Sequence, residues 1–226
     1  MNTVGVNTPS SGASRHLLPN GEKKPAAMVM SSSPHRGEGG SRSEPGVGFL
    51  IIIAAESGKD VAQRENLLDR AMGKNRKRKS SEKLRRGRMP SEGLSFVVRD
   101  AAGTLVATVR LWDVTAGENG PRALLLGPLA VDPSLKGAGI GSALMRHAIA
   151  EAGRLGHKGI LLVGDAPYYA RFGFSAEKTG KLAMPGPYER ERFLALELED
   201  GALDGAKGVL KASGRKIPSA PTSLAA

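Results

Sequence analysis

No cysteine occurs anywhere in the 226 residues, which excludes disulfides, thiolate metal sites and a cysteine nucleophile at once. Aromatic residues make up only 4% of the chain, with a single Trp, so its core is aliphatic. The four histidines are scattered without His-x-x-x-His spacing, and no metal site is expected. Long hydrophobic runs are missing too: the longest, Phe49–Ala55, is too short to span a bilayer. Residues 1–46 are rich in Ser, Gly and Pro and lack the apolar segment of a secretory signal. They read as a disordered extension, with a transit peptide or a start set too early, before Met28 or Met30, as alternatives. A soluble cytoplasmic protein without membrane contact is expected.

What is present is charge, and it is unevenly placed. The chain carries a net charge of +11, and most of it lies between Lys74 and Arg88, where nine cations stand against the single acid Glu82. A patch of this density attracts phosphate in general. No aromatic residue interrupts it, so it offers no platform for stacking bases. It reads as a solvated helix and loop beside a cleft rather than as a nucleic-acid surface; a middle reading has some of these cations meeting an acidic ligand or substrate. Residues 201–226 hold Gly205, Gly208 and a Pro/Ser-rich end, and read as a mobile tail.

The most informative stretch is Leu129-Ala-Val-Asp-Pro-Ser-Leu-Lys-Gly-Ala-Gly-Ile-Gly-Ser142, an apolar strand running through a glycine turn into a helix. Gly137, Gly139 and Gly141 remove side chains where backbone N–H groups crowd around an anion. Leu144, Met145, Ala148, Ile149 and Ala152 then fall on one face of a helix whose partly positive end meets the loop. A nucleotide P-loop would end in Gly-Lys-Ser/Thr, and this loop has no lysine there. A dinucleotide fingerprint requires Gly-x-Gly-x-x-Gly, whereas the spacing here is Gly-x-Gly-x-Gly, although Asp165 follows the next strand.

Tyr168-Tyr-Ala-Arg-Phe-Gly-Phe174 follows, and together with Lys136-Gly-Ala-Gly-Ile-Gly141 it resembles the GNAT superfamily of acyl-CoA-dependent N-acetyltransferases. The loop departs from the family pattern in having Leu135 or Lys136 near the usual Arg/Gln position. The resemblance covers about Gly48 to Leu198, so a transferase domain over residues 48–200 is expected. Periodicity places strands at 49–54, 94–99, 104–112, 122–131, 159–163, 174–176 and 193–198. It places helices at 57–72, 80–86 (serine-capped), 139–154 and 167–171. Gly127-Pro128 suggests a bulge, because proline cannot donate to a central ladder.

The fold this resemblance implies is the α/β (α+β) GNAT acyl-CoA N-acyltransferase fold, a mixed central sheet with splayed fourth and fifth strands flanked by helices. It implies acetyl-CoA as co-substrate, an amine acceptor, and a monomer or homodimer. The backbone of Leu129, Ala130 and Val131 would hold the pantetheine amides. The amides of Lys136, Gly137, Ala138, Gly139, Ile140, Gly141 and Ser142 would hold the pyrophosphate, and Phe172 would pack beneath the site. Tyr169 takes the position of the tyrosine that protonates the leaving thiolate, attack on the thioester being direct. For the base the candidates are Asp165 after the fifth strand, Glu118, Asp132, or a water chain to solvent. The basic first two helices disfavour a polycationic acceptor by like-charge repulsion and suit an acidic small molecule, an aminoacyl group or a protein N-terminus. The alternative is a non-catalytic acyl-CoA-binding or nucleic-acid-binding module on the same fold.

Overall fold

Apolar runs bounded by glycine, proline and charged turns become ten strands and four α-helices among the described residues. The structure is a computed structural model and describes residues 28–30 and 51–218. In chain order these are β1 (Met28–Met30), β2 (Ile51–Ala55), α1 (Val61–Met72), α2 (Glu82–Arg85), β3 (Ser95–Arg99), β4 (Leu105–Thr115), β5 (Arg122–Val131) and α3 (Ile140–Arg154). There follow β6 (Gly159–Val163), α4 (Ala166–Ala170), β7 (Lys181–Ala183), β8 (Phe193–Glu197), β9 (Lys207–Val209) and β10 (Lys211–Ala212).

The main sheet has the order β1-β2-β3-β4-β5-β6-β8, with β10 beside β4. Every pairing in it is antiparallel except β5 with β6. Successive side chains enter opposite faces. Leu124, Leu126, Ile160 and Leu162 meet Leu144, Met145 and Ala148 of α3 on one face. Ala123, Leu125 and Leu161 meet Phe193, Leu203 and Leu210 on the other. With both faces covered the central strands lose polar alternation. Each buried leucine contributes about 1.5–3 kcal/mol relative to exposure. Leu67 and Leu68 of α1 close the sheet over Val97 and Ala130. The helix start expected at Ser57 forms: the Asp60 carboxylate accepts the Ser57 N–H at 2.8 Å.

The parallel pair positions the site. β5 and β6 are in register only at Leu124–Ile160 and Leu125–Leu161, and beyond Leu126 they part. On its other edge β5 stays with β4, but Val109 faces Leu129 while Leu111 faces Leu126, so β5 carries one extra residue. This is the bulge at Gly127-Pro128, and it turns β5 away from β6. The splayed strands are the fifth and sixth here because Met28–Met30 adds one at the start.

Several expectations need correction. Met28–Met30 lies inside the stretch 1–46 and pairs antiparallel with Ile51–Ile53; the remainder of that stretch lies outside the described residues, as do residues 49, 50 and 219–226. Residues 201–218 are not a free tail: Leu203 and Leu210 are buried, β9 pairs with β7 and β10 with β4. Two isolated leucines among glycines give no period to read, and pairing supplies the order. The strand expected at 174–176 reduces to a single bridge, Ser175 to Ala195. Ser81 stands at the start of α2 without capping it, because its own backbone is already helical; its hydroxyl accepts from Arg85 instead.

Candidate active site

The loop between β5 and α3 holds its shape with little of its hydrogen-bonding capacity. Asp132 accepts from the Ser134 N–H at 3.1 Å and starts a single turn at Pro133–Leu135. The amides of Lys136 and Ala138 close back onto the carbonyls of Pro133 and Leu135. Among the described residues the amides of Gly137, Gly139, Ile140, Gly141 and Ser142 find no acceptor. Gly139 stands at the start of α3 with φ +78°, in the left-handed region, which is what turns the chain so that these donors converge. Five N–H groups without acceptors thus stand at the positive end of a 15-residue helix, an arrangement that favours an anion. Of the seven amides expected to serve, those of Lys136 and Ala138 are committed to the turn.

Beside the loop lies the edge left bare by the splay. Leu129, Ala130 and Val131 pair with β4 on one side and with nothing on the β6 side. An extended, amide-bearing chain could take the place of the missing strand there. The Trp112 indole N–H donates to the Gly127 carbonyl at 2.6 Å, anchoring the bulge.

α4 begins at Ala166, with Gly164 and the N-cap Asp165 between it and β6, and carries Tyr168, Tyr169 and, just past its end, Phe172. Tyr169 sits edge-on to Phe174 and to Tyr168, with ring centroids 6.0 and 5.0 Å away. Its ring lies on the backbone of Gly164, where an added Cβ would come within 2.1 Å of the ring. No residue but glycine fits that position. The Tyr169 hydroxyl has no hydrogen-bond partner among the described residues, and Tyr169 lines the cleft between β5 and β6. Burial, reinforced by Tyr168 and Asp165 against Arg192, pushes its phenol up to about 12. Tyr168 turns to the loop, its hydroxyl 3.1 Å from where a Cβ at Gly141 would lie. Arg171 stacks over Tyr168 at 4.7 Å, and Arg146 over Phe172 at 5.8 Å.

The cleft widens on the side of α1 and α2 into a cavity of about 350 Å³. Its lining includes Trp112, Gly127, Pro128, Leu129, Val163 and Tyr169 together with Arg76, Arg85 and Arg110, and Arg110 stacks over Trp112 at 5.6 Å. Ile217 reaches in from the C-terminal segment, whose backbone is tied down by a hydrogen bond from its N–H to the Gly87 carbonyl at 3.0 Å. The basic segment is therefore only partly a solvated face: the side chains of Arg76 and Arg85 are 10% and 11% exposed. Arg76 reaches Glu65 and Asp69 at 2.5 and 2.7 Å. Arg110 grips Glu56 through two 2.6 Å bonds, and Glu56 also meets Arg64. Against the upward push of burial, hydrogen bonds from Arg76 and Arg64 hold Glu65 at about 2, so it is a fixed anion and not a base.

Asp165 departs from expectation. It is exposed, makes no side-chain cap on α4 and is not among the residues lining the cavity. Glu118 is exposed and paired with Lys211, and Asp132 is taken by Ser134 and Arg70. Sequence reasoning missed Gly164, Trp112, Glu56, Arg85, Arg110 and Ile217. For most of these no local pattern signals the role, because their partners lie far along the chain. Gly164 alone, a glycine closing a strand before a Tyr-bearing helix, could have been read. Among the described residues no cluster of His, Asp or Glu is arranged to hold a metal ion, and no helix is long and apolar enough to cross a membrane.

Residues 91–176 match the family model of the acetyltransferase (GNAT) domain, which spans the bulge, the loop and the Tyr-bearing helix. The chain is similar to the uncharacterized N-acetyltransferase YhbS of Escherichia coli K12, 26% identical over 118 residues covering 52% of this chain and 71% of YhbS. A shorter likeness, 37% over 68 residues, links it to the uncharacterized N-acetyltransferase YjhQ of the same organism, covering 30% of this chain and 37% of YjhQ. In fold it is similar to the crystal structure of YhbS in complex with CoA, with a TM-score of 0.63 and 24% identity over 76% of this chain and 93% of that one. It is also similar to a Brucella melitensis GNAT-family acetyltransferase in complex with acetyl-CoA, with a TM-score of 0.55 and 24% identity over 71% and 94% of the two chains.

Proposed function

We propose, from the match of residues 91–176 to the acetyltransferase (GNAT) domain and the likeness to YhbS, that the chain is a GNAT-superfamily enzyme that passes the acetyl group of acetyl-CoA to a primary amine by direct attack. The observation that carries this reading is Tyr169, whose hydroxyl has no partner among the described residues and which lines the cavity together with Leu129 of β5 and Val163 of β6. The amides of Gly137, Gly139, Ile140, Gly141 and Ser142 take the diphosphate, with the Lys136 ammonium at the rim and Ala138 shaping the turn. Each charge-assisted bond contributes on the order of 1.5–3 kcal/mol. Leu129, Ala130 and Val131 pair with the pantetheine amides as a strand would, and Phe172 packs beside Tyr168. The thioester then lies between Leu129 and Tyr169.

The amine nitrogen attacks the thioester carbon, a C–N bond forms and the C–S bond breaks. The amine's proton passes to water in the open cavity, since Asp165 is exposed and is not among the lining residues. A phenol at about 12 is a weaker acid than an ordinary thiol near 8.5, so complete proton transfer to sulfur is uphill. Tyr169 therefore acts as a hydrogen-bond donor to the departing thiolate, which takes its proton from solvent on release. The absence of cysteine removes the usual thiol nucleophile and favours a route without a covalent enzyme intermediate.

Tyr169→Phe tests the assignment, because the ring keeps its seat on Gly164. Loss of one hydrogen bond to a charged group predicts a fall in kcat of about ten- to a hundredfold, with the affinity for acetyl-CoA unchanged by calorimetry. An unchanged kcat in a thiol-release assay removes Tyr169 from the chemistry.

A further inference from the structure

We propose that the accepted amine carries a carboxylate on a hydrocarbon body, and that Arg85 is the residue that receives the carboxylate. This rests on the acetyltransferase reading above and names the acceptor class for the same site. Five arginines line the cavity: Arg86 is exposed, Arg88 donates to the Gly214 carbonyl at 2.6 Å, and Arg76 and Arg110 are satisfied by carboxylates. Arg76 has two carboxylates within 2.7 Å, and Arg110 has a bidentate grip on Glu56. Arg85 is not. Its Nε–H is buried with no partner at all, and its Nη2 reaches only Ser81 Oγ at 3.3 Å and Glu82 at 3.2 Å. Charge-assisted bonds settle at about 2.7–2.9 Å, so both contacts are slack. Buried polar groups are paired as a rule, and an open guanidinium edge is a receptor for a planar, two-oxygen anion.

Burial pushes the Arg85 guanidinium down, and Arg76 and Arg110 push the same way against the pull of Glu82, so an added anion relieves local repulsion. The coenzyme's diphosphate does not supply that anion, since none of residues 137–142 lines this cavity. The same cavity also has an apolar lining, Leu68, Met72, Trp112 and Leu126, suited to a hydrocarbon or aromatic body. Such an amine offers its nitrogen to the thioester while its carboxylate is held by Arg85. An α-amino acid with a large apolar side chain has this layout.

The experiment compares matched amines on the unaltered full-length enzyme by thiol release from acetyl-CoA: phenylalanine against phenylalaninamide, leucine against 3-methylbutylamine, and phosphoethanolamine against ethanolamine. The proposal expects at least tenfold higher kcat/KM for the carboxylated member of the first two pairs. In Arg85→Met and Arg85→Lys the preference should collapse tenfold or more through KM, while calorimetric affinity for acetyl-CoA stays within twofold. Equal rates for the acid and its amide overturn the proposal, as does a variant that slows both members alike. A preference confined to phosphoethanolamine overturns the carboxylate in favour of a phosphate. If acetyl-CoA binds but no carboxylated amine is accepted, this inference fails alone; if acetyl-CoA does not bind, the transferase reading fails with it. Should either variant misfold, the paired amines on the unaltered enzyme still decide.

Discussion

The two ends of the cleft meet negative charge by opposite means. At residues 137–142 the positive potential is main-chain: five amides without acceptors and the start of α3, with no side chain involved. At the α1–α2 end it is side-chain: five guanidinium groups line the cavity, and those of Arg76 and Arg110 are fixed by carboxylates from other elements. A main-chain receptor has nothing that titrates or swings, and it demands only that glycines stay glycine. A side-chain receptor can be re-aimed by one substitution, and each of its cations needs a counter-ion when free of ligand. In the function proposed above, the first end would take the diphosphate of the co-substrate and the second the acceptor.

The comparison is broken most severely at Glu56. Its carboxylate is 4% exposed and serves both Arg64 and Arg110. Glu56→Ala strands the Arg110 guanidinium and leaves Arg64 with Glu65 alone, and breaking a buried pair in this way costs about 3–5 kcal/mol. Urea unfolding should show that loss, with the side-chain end disordered while the main-chain loop is untouched. A loss under 1 kcal/mol would mean that these arginines find water and are not held by Glu56.

Gly139→Val breaks the other end. Valine must adopt φ near +78° at the helix start, a conformation that costs it roughly 1–3 kcal/mol, or else rotate the loop and scatter its donors. Calorimetry should show acetyl-CoA affinity down by more than about a hundredfold, near 2.7 kcal/mol. Affinity within a few-fold of the unaltered protein would show that side chains, and not amides, hold the diphosphate, and the contrast between the two ends would disappear.

How much of each end could be read beforehand follows from the same contrast. The loop was legible because a main-chain receptor needs three glycines in five residues, and these stand together. The bulge was legible because proline in a central strand has few places to go. The cations of 74–88 were legible as a run, but not their fate. Whether Arg76 and Arg85 are solvated or buried depends on Glu65, Asp69 and Glu82, and on β4 supplying Arg110 and Trp112. These partners are set by the fold and not by spacing. The C-terminal segment was missed for a related reason. β9 and β10 are three and two residues long, too short to show a period, and their order comes from β7 and β4. Asp165 follows the expected strand, yet it stands exposed at the N-cap of α4 and outside the cavity lining.

The smallest effect sharpens the comparison where the two ends meet, at Tyr169. An acidic group whose folded value is raised holds its proton longer in the folded enzyme than in water. Here burial raises the phenol to about 12 from an ordinary value near 10. Tyr169 thus stays protonated and able to donate throughout the range in which amines are assayed. The rate should rise with pH as the acceptor amine loses its proton, then run level through pH 10, with no fall belonging to the phenol until above about pH 11. The main-chain loop does not titrate, so it adds no step. A falling limb centred near pH 10 that Tyr169→Phe abolishes would place the phenol in water. The hydroxyl would then be an exposed group at the cleft's rim instead of a buried donor aimed at the sulfur.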